Sequence, residues 1–225
     1  MSLETLLQQV IACRRCPRLV RWREKVAKDK KAAYQGEEYW GKPVPGWGDA
    51  KARVVVVGLA PGAHGANRTG RMFTGDESGR WLYRALWRVG WASQAESVGR
   101  GDGLKLRHVW ITSPVKCAPP DNRPTTRERD QCADFFTREL ELLAAARVYL
   151  ALGGFGFEAV GRYFGLRPKP KFGHGVEVAL PGDKWLIGSY HVSQQNTFTG
   201  RLTETMLDTV MQQAGRRAGL SGRKG

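Results

Sequence analysis

Two polar segments of the chain carry residues suited to acid–base chemistry, and each directly follows an apolar run. Residues 58–76 come after the run VVVV and place His64, Phe73 and Asp76 among five glycines. A carboxylate such as Asp76 can take a proton from water, and a histidine can donate one to a leaving group. Asp76 also fits the N-cap of a helix starting near residue 78, and a loop histidine such as His64 is most often held by hydrogen bonds. Both uses of each residue stay open.

The glycines of residues 58–76 let a ligand approach the backbone closely. The segment is not a P-loop, because no Gly-Lys-Ser/Thr follows, and GLAPGAHG is not the G-x-G-x-x-G that opens a dinucleotide-binding helix. Phe73 stands among polar residues, where it is either a core anchor or a surface on which a base stacks. The segment favours a phosphate or a base lying on main-chain amides.

The second polar segment, HVSQQNTFTGRLT, begins with His191 after the run WLIGSY. At the carboxyl end of a strand, His191 can donate to a ligand while Ser193, Gln194 and Asn196 face phosphates. The alternative is a helix-capping group that contains a hydrogen-bonded histidine. The residue types alone leave these two interpretations open.

Four cysteines form a third candidate site. Cys13 and Cys16 make a C-x2-C pair, whereas Cys117 and Cys132 lie far downstream with 14 residues between them. Four thiolates can hold tetrahedral zinc or a 4Fe-4S cluster, and the spacing does not separate the two. Four buried free thiols are the third possibility, because cysteine is often simply buried.

Four apolar runs and the helical patterns between them predict an α/β fold. The runs cover residues 53–59, 108–115, 148–153 and 185–190. Their near-continuous hydrophobicity is typical of parallel strands covered on both faces. Helical patterns cover residues 3–12, 78–89, 126–146, 155–164 and 202–213. We therefore predict a central four-stranded parallel sheet flanked by helices, with its ligand site beyond the carboxyl ends of the strands.

Length, composition and charge narrow the class of protein. With 225 residues, 41% of them hydrophobic, we predict one domain over residues 1–215 and a basic, disordered tail over 216–225. Residues 27–50, charged and then rich in Gly, Pro and aromatics, predict a long surface loop. The formal net charge of +15 favours nucleic acid as the partner. No apolar run reaches the roughly 20 residues of a membrane helix and no secretory signal is evident, so we expect a cytoplasmic monomer without a membrane partner.

Taken together, the motifs resemble the uracil-DNA glycosylase superfamily, and in particular its iron-sulfur branch. The elements that carry the resemblance are C-x2-C from Cys13, GLAPGAHGANRTGRMFTGD after the first run, VKCAPPDNRP around Cys117, Cys132, and HVSQQN after the last run. They occur in the family order and cover most of the chain. The resemblance implies an enzyme of base excision repair that flips a damaged base out of DNA and hydrolyses its N-glycosidic bond.

Within that branch the chain looks most like the type B enzymes, the fifth family, which have broad specificity. The better-known iron-sulfur relatives carry an acidic residue where Leu59 stands, and an Asn that reads the uracil edge where Ser113 stands. His191 is followed by Val192, where Pro is common. The resemblance therefore implies excision of uracil and of other deaminated bases, hypoxanthine and xanthine among them.

The resemblance also implies roles for the candidate residues. His191 would donate to the leaving base and so stabilise its developing charge. Because Leu59 cannot activate water, we assign that role to Asp76, with Asn122 as a candidate amide partner. Contacts to the base and phosphates are expected from Gly62, His64, Phe73, Ser113, Ser193 and Asn196.

For the four cysteines the resemblance implies a 4Fe-4S cluster with a structural role, and zinc remains the alternative metal. A noncatalytic nucleic-acid-binding module with a structural metal would also explain the charge and the cysteines, but it gives Asp76 and His191 no purpose. A metabolic nucleotide-binding α/β enzyme would leave the charge unexplained. The glycosylase is the interpretation that accounts for all of these features.

Overall fold

All four apolar runs form strands in a computed structural model, which describes residues 1–220. They lie side by side as parallel strands, and one antiparallel strand flanks them at each edge of the sheet. The strands are β1 (Trp47–Gly48), β2 (Val54–Val57), β3 (Val109–Thr112), β4 (Val148–Leu152), β5 (Glu177–Leu180) and β6 (Lys184–Ser189), and their spatial order is β1-β3-β2-β4-β6-β5. The predicted α/β class and its central parallel strands are confirmed.

Helices surround this sheet, and all five predicted helical patterns form one. Within residues 1–220 the α-helices are α1 (Leu3–Ile11), α2 (Pro17–Asp29), α3 (Ala66–Thr69), α4 (Glu77–Arg88), α5 (Thr126–Leu142), α6 (Gly154–Tyr163), α7 (Gln194–Phe198) and α8 (Glu204–Arg217). None of them combines the length and the apolar composition that crossing a bilayer requires.

Each face of the sheet is covered by one pair of helices, which explains the unbroken valine run of β2. Val54 and Val56 belong to the core under α4 and α8, whereas Val55 and Val57 belong to the core under α5 and α6. All four valines are fully buried. A strand that is covered on both faces needs no polar alternation, so its sequence reads as a continuous apolar run.

Two parts of the fold differ from the sequence-based prediction. The sheet has six strands rather than four, because the two-residue β1 lies inside the stretch predicted as a loop and β5 is half-exposed. Helix α2 was not predicted at all, since its many Arg and Lys residues hide the apolar stripe of Leu19, Val20 and Val26, which are buried. Amphipathic patterns with so narrow an apolar face are easily read as surface.

The predicted boundary at residue 215 falls inside α8. The helix continues to Arg217, Ala218 is buried and Leu220 packs against the core. The domain therefore extends through these residues. The rest of the predicted tail, residues 221–225, lies outside the residues that the structure describes.

Candidate active site

The four parallel strands end at one edge of the sheet, and the predicted site residues follow these ends. Gly58 comes directly after β2, Ser113 directly after β3 and Gly153 directly after β4. His191 comes two residues after the end of β6. Because the carboxyl ends of parallel strands share an edge, the two polar segments are brought to the same side of the molecule.

Asp76 ends the loop after β2 and begins α4. It is the N-cap of that helix, and its Oδ1 accepts a hydrogen bond of 2.9 Å from the Gly79 N–H. Burial of the carboxyl group raises the pKa of Asp76, against the opposing effect of the Gly79 N–H and of nearby Arg68. Asp76 therefore has one oxygen engaged in capping and the other, Oδ2, available for a second partner.

The glycines of the loop leave room for this carboxylate. A Cβ placed on Gly62 would lie 2.9 Å from Asp76 Oδ2, and a Cβ on Gly65 would overlap the same oxygen. The N–H groups of Gly62 and His64 donate to no acceptor among residues 1–220. The loop thus places a carboxylate oxygen and free main-chain donors close together.

Phe73 presents an aromatic ring beside these groups. Its backbone adopts φ 52°, in the left-handed region, and its ring packs on Gly58, where an added Cβ would come within 2.7 Å. The ring centroid lies 6.1 Å from that of His191, with an interplanar angle of 34°. This contact joins the loop after β2 to the segment after β6.

His191 lies over the turn between β4 and α6. A Cβ added to Gly153 would be 3.4 Å from the His191 Cβ, an ordinary van der Waals distance, so the histidine packs directly on this turn. Burial lowers the pKa of His191 to about 4, which keeps the imidazole neutral near pH 7. Asn196 Nδ2 donates a hydrogen bond of 2.8 Å to the His191 carbonyl. A neutral imidazole held in this way can donate its single N–H.

His64 and Ser193, two further residues predicted to contact the substrate, differ in whether their side chains have hydrogen-bond partners. The Tyr39 hydroxyl lies 3.0 Å from His64 Nδ1, and burial together with nearby Lys31 and Arg68 lowers the His64 pKa. Ser193 is half-exposed at the start of α7, and its hydroxyl does not cap that helix. Within residues 1–220, the main-chain N–H of His64 and the Ser193 hydroxyl therefore remain free for a ligand.

Within residues 1–220, neither Ser113 nor Asn122 makes a hydrogen bond to the Asp76 carboxylate or to the His191 imidazole. Ser113 is buried, and its hydroxyl donates to the Val115 carbonyl at 2.8 Å, which holds the turn after β3. Asn122 is exposed on the short turn Pro120–Asn122, and its side chain makes no hydrogen bond within residues 1–220. The predicted partnership of Asn122 with Asp76 has no contact that supports it.

Two buried arginines stabilise the conformation of the loop. The sequence did not indicate this role. Arg68 donates to the carbonyls of His64 and Gly75, both at 2.8 Å, and so ties together two turns of the loop. Arg71 pairs with Asp102, and both side chains are buried. A loop so rich in glycine needs side-chain interactions to fix its conformation. The two Arg residues within ANRTGRMF are the sequence feature that could have indicated them.

The four cysteines line one pocket. Cys13 follows α1, Cys16 is the N-cap residue of α2, Cys117 follows β3, and Cys132 lies in α5. Apolar side chains complete the walls, namely Leu19, Val20, Val115 and Phe135 together with Pro43. Chain segments that are distant in sequence therefore meet at these thiols.

The thiols of this pocket fit a group that bears positive charge. Burial, with a smaller effect of the neighbouring thiols, raises the pKa of Cys117 to about 12 and that of Cys132 to about 11. A metal centre would offset this cost, because metal ligation deprotonates thiols. The Lys116 backbone opposes the rise in the Cys132 pKa, because its N–H favours the thiolate, which is the form that binds iron. Among residues 1–220, no three His, Cys, Asp or Glu side chains converge as a single-ion site requires.

Comparison with known proteins gives the family. The sequence model of the Uracil DNA glycosylase superfamily matches residues 45–215. The chain belongs to this superfamily. It is 52% identical over 221 residues to the type-5 uracil-DNA glycosylase of Thermus thermophilus, covering 98% of this chain and 100% of that protein.

Further glycosylases show the same pattern. The chain is 51% identical over 214 residues to the type-5 uracil-DNA glycosylase of Mycobacterium tuberculosis, covering 94% of this chain and 80% of that protein. Against the type-4 uracil-DNA glycosylase of Archaeoglobus fulgidus the identity is 30% over 166 residues, covering 73% and 66%. The predicted superfamily and the predicted likeness to its fifth family are confirmed.

Proposed function

We propose that this glycosylase hydrolyses the N-glycosidic bond of uracil in DNA. The observation that carries the proposal is the meeting of Asp76, Phe73 and neutral His191 at one edge of the sheet, in a chain about half identical to type-5 uracil-DNA glycosylases. Base excision of this kind requires the base to leave the stack and enter a pocket. At this edge Phe73 supplies a stacking surface, His191 a hydrogen-bond donor and Asp76 a general base.

The flipped base lies against Phe73 in this proposal. Stacking on an aromatic ring stabilises a bound base by about 1–3 kcal/mol and tolerates any base, since every base has a flat face. The free N–H groups of Gly62 and His64 bind a carbonyl oxygen of the base. Ser193 contacts a phosphate, whereas Asn196 acts by holding the backbone of His191.

Bond cleavage leaves negative charge on the base and positive charge on the sugar. His191 donates its N–H to the base as the C1′–N bond breaks, which stabilises the departing anion. The Asp76 carboxylate accepts a proton from water as the water oxygen bonds to C1′. The products are the free base and an abasic site. Since Oδ1 of Asp76 caps α4, Oδ2 is the oxygen that binds the water.

Broad base specificity is part of the proposal. Leu59 cannot form side-chain hydrogen bonds, and the Ser113 hydroxyl is turned inward to Val115. Recognition then depends on stacking and on main-chain N–H groups, which accept any base carrying a suitably placed carbonyl. Hypoxanthine and xanthine satisfy this requirement as uracil does.

Helix α7 carries a further candidate that the sequence reading missed. Phe198 is 73% exposed, although it is a large apolar residue, and it lies seven residues after His191. Apolar side chains on DNA-distorting proteins insert between base steps. We assign Phe198 to the space that the flipped base leaves in the duplex.

The pocket of Cys13, Cys16, Cys117 and Cys132 holds a 4Fe-4S cluster in this proposal, with zinc as the alternative. Such a cluster supplies a cross-link between α1, α2, α5 and the turn after β3, and the hydrolysis itself uses none of its chemistry. The enclosure of all four cysteines in one pocket with apolar walls supports a bound metal centre.

The test is incubation of the purified protein with labelled duplexes that carry one uracil, hypoxanthine, xanthine or no lesion, followed by alkali. We expect strand cleavage at uracil and at one or both purine lesions, and none in the intact duplex. Binding of uracil DNA without cleavage would favour the noncatalytic module. Binding of free nucleotides without DNA binding would favour a metabolic enzyme.

We also propose that the protein is a monomer and that it is cytoplasmic.

A further inference from the structure

A second cavity lies beside α6, on the flank of the candidate active site. It has a volume of about 580 Å³, within the range of about 300–1,000 Å³ that small-ligand sites occupy. Its walls are α6 and the segment 165–172, and its aromatic lining consists of Phe157 and Phe172. None of the residues assigned to catalysis lines it.

The charged rim of this cavity is mainly basic. Arg162, Arg167 and Lys169 line it, and Glu158 is its single carboxylate. Glu158 is already compensated, since Lys169 lies 3.0 Å and Arg129 3.7 Å from its Oε1. Arg162 has only a loose exposed pair with Asp130 at 3.4 Å, and Arg167 has no ion pair within residues 1–220.

One end of the cavity adjoins the His191 site through two neighbouring glycines. Gly153 packs against His191, and Gly154 lines the cavity, where an added Cβ would be 3.7 Å from the Phe172 ring. Phe172 also lies 6.4 Å, between ring centroids, from Tyr190, the residue before His191. A polymer bound at His191 can therefore continue into this cavity without crossing the molecule.

We propose that the cavity binds a nucleotide of the same DNA strand that carries the flipped base. This inference rests on the proposed function. The neighbouring base lies on Phe172, and its phosphate contacts Arg162 and Arg167. Aromatic platforms combined with a basic rim are the features by which proteins bind single-stranded nucleic acid without sequence preference.

The test compares two double variants of equal charge. Arg162→Gln/Arg167→Gln removes the two cations at the cavity, and Arg107→Gln/Arg147→Gln removes two exposed cations at the opposite edge of the sheet, just before β3 and β4. Binding is measured with a single-stranded oligonucleotide carrying a tetrahydrofuran abasic analogue, over a range of salt concentrations. This probe cannot be cleaved, so the measurement does not depend on glycosylase activity.

We expect the cavity variant to bind about tenfold more weakly than the control variant, with a log–log salt slope smaller by about 1–2. In single-turnover assays the concentration of uracil DNA that gives half the maximal rate should rise relative to the control variant, because both arginines contact the bound strand. Phe172→Leu, which keeps an apolar side chain in place, should weaken binding without changing the salt slope. Equal binding of the oligonucleotide by the two double variants overturns the inference. The inference is also overturned if the cavity variant loses binding of thymidine monophosphate while its DNA binding is unaffected.

Discussion

Asp76 combines two uses that the sequence left as alternatives. Its Oδ1 caps α4 through the Gly79 N–H, and its Oδ2 lies over Gly62 and Gly65. Capping fixes the carboxylate relative to the helix, and fixed geometry is what a group that positions water requires. The structural role therefore supports the proposed chemical one.

Asp76→Asn separates the two uses. Asparagine caps helices about as well as aspartate, so the free energy of unfolding should change by less than about 1 kcal/mol. It cannot accept the proton of water, so the single-turnover rate on a uracil duplex should fall by about 10²–10⁴-fold. Urea unfolding and quenched single-turnover assays measure the two effects. Full activity in this variant would show that another group positions the water.

His191 makes stability depend on pH. Its pKa is about 4 in the folded protein, below the value of about 6.5 expected when unfolded. Between these values the unfolded chain binds a proton that the folded chain does not, so stability is complete above pH 6.5 and is lost as the pH falls toward 4. His191→Gln is the reference protein, because it lacks this imidazole and keeps the rest of the chain unchanged.

We expect the wild type to lose about 1–2 kcal/mol more stability than His191→Gln between pH 7.5 and pH 5, as measured by urea unfolding. Because the proposed donor is the neutral imidazole, lowering the pH from 7.5 to 6 should not raise the single-turnover rate. A rate that rises with protonation near pH 6.5, and does so only when His191 is present, would contradict a neutral donor.

At the scale of single residues, the sequence indicates candidate residues but not what each side chain contacts. Asp76, Phe73 and His191 are candidates because their segments follow predicted strands. The inward hydrogen bond of Ser113 and the support of His191 by Asn196 depend on carbonyls that only the folded chain positions. No local pattern reveals such partners.

Among the elements, the loop after β2 depends on glycine for space as much as for backbone freedom. Gly65→Ala places a methyl group on Asp76 Oδ2, whereas nothing lies within 4 Å of a Cβ on Gly36. We expect Gly65→Ala to lower the single-turnover rate by about 10²-fold, since a displacement of about 1 Å has that effect on positioned groups. Gly36→Ala is the matched control and should retain the wild-type rate. Normal activity in Gly65→Ala would remove the packed carboxylate from the mechanism.

Helix α7 offers a test that compares two substrates. Phe198→Ala should lower kcat/KM on a uracil duplex by about tenfold or more, because nothing then occupies the gap in the stack. On single-stranded uracil DNA, where there is no duplex stack to fill, the loss should be small. Phe198 is 73% exposed, so the substitution should leave the melting temperature unchanged. Equal losses on both substrates would assign Phe198 a different role.

Element prediction succeeded where burial is strong and failed where it is partial. The continuous runs of β2, β3, β4 and β6 were readable because both faces are covered. The edge strands β1 and β5 and the charged helix α2 bury narrower surfaces, so their sequences resemble loops. Their structure comes from contacts with the rest of the fold.

At the scale of the whole molecule, the cysteine pocket joins three parts of the chain: the junction of α1 and α2, the segment after β3, and α5. We expect the protein purified without oxygen to contain about four iron and four sulfide per chain. Cys132→Ser should lose most of this content and melt at a lower temperature, whereas Ala133→Ser, at the next position of α5, should keep both. Metal analysis and thermal melting measure the effects. Zinc alone would select the alternative metal, and the absence of both would leave four free thiols.

The short outer strands have a consequence for the protein at high concentration. The β-rich runs of the sheet interior, VVVV among them, are sequences that would stack readily with copies of themselves if exposed. Their hydrogen-bonding edges are closed on one side by the two-residue β1 and on the other by β5, where Arg217 and Gln213 bind the Glu177 side chain. The sheet edges therefore offer a neighbouring chain few backbone N–H and C=O groups with which to pair a further strand. Together with the mutual repulsion of molecules of charge +15, these edges should keep the folded protein from aggregating.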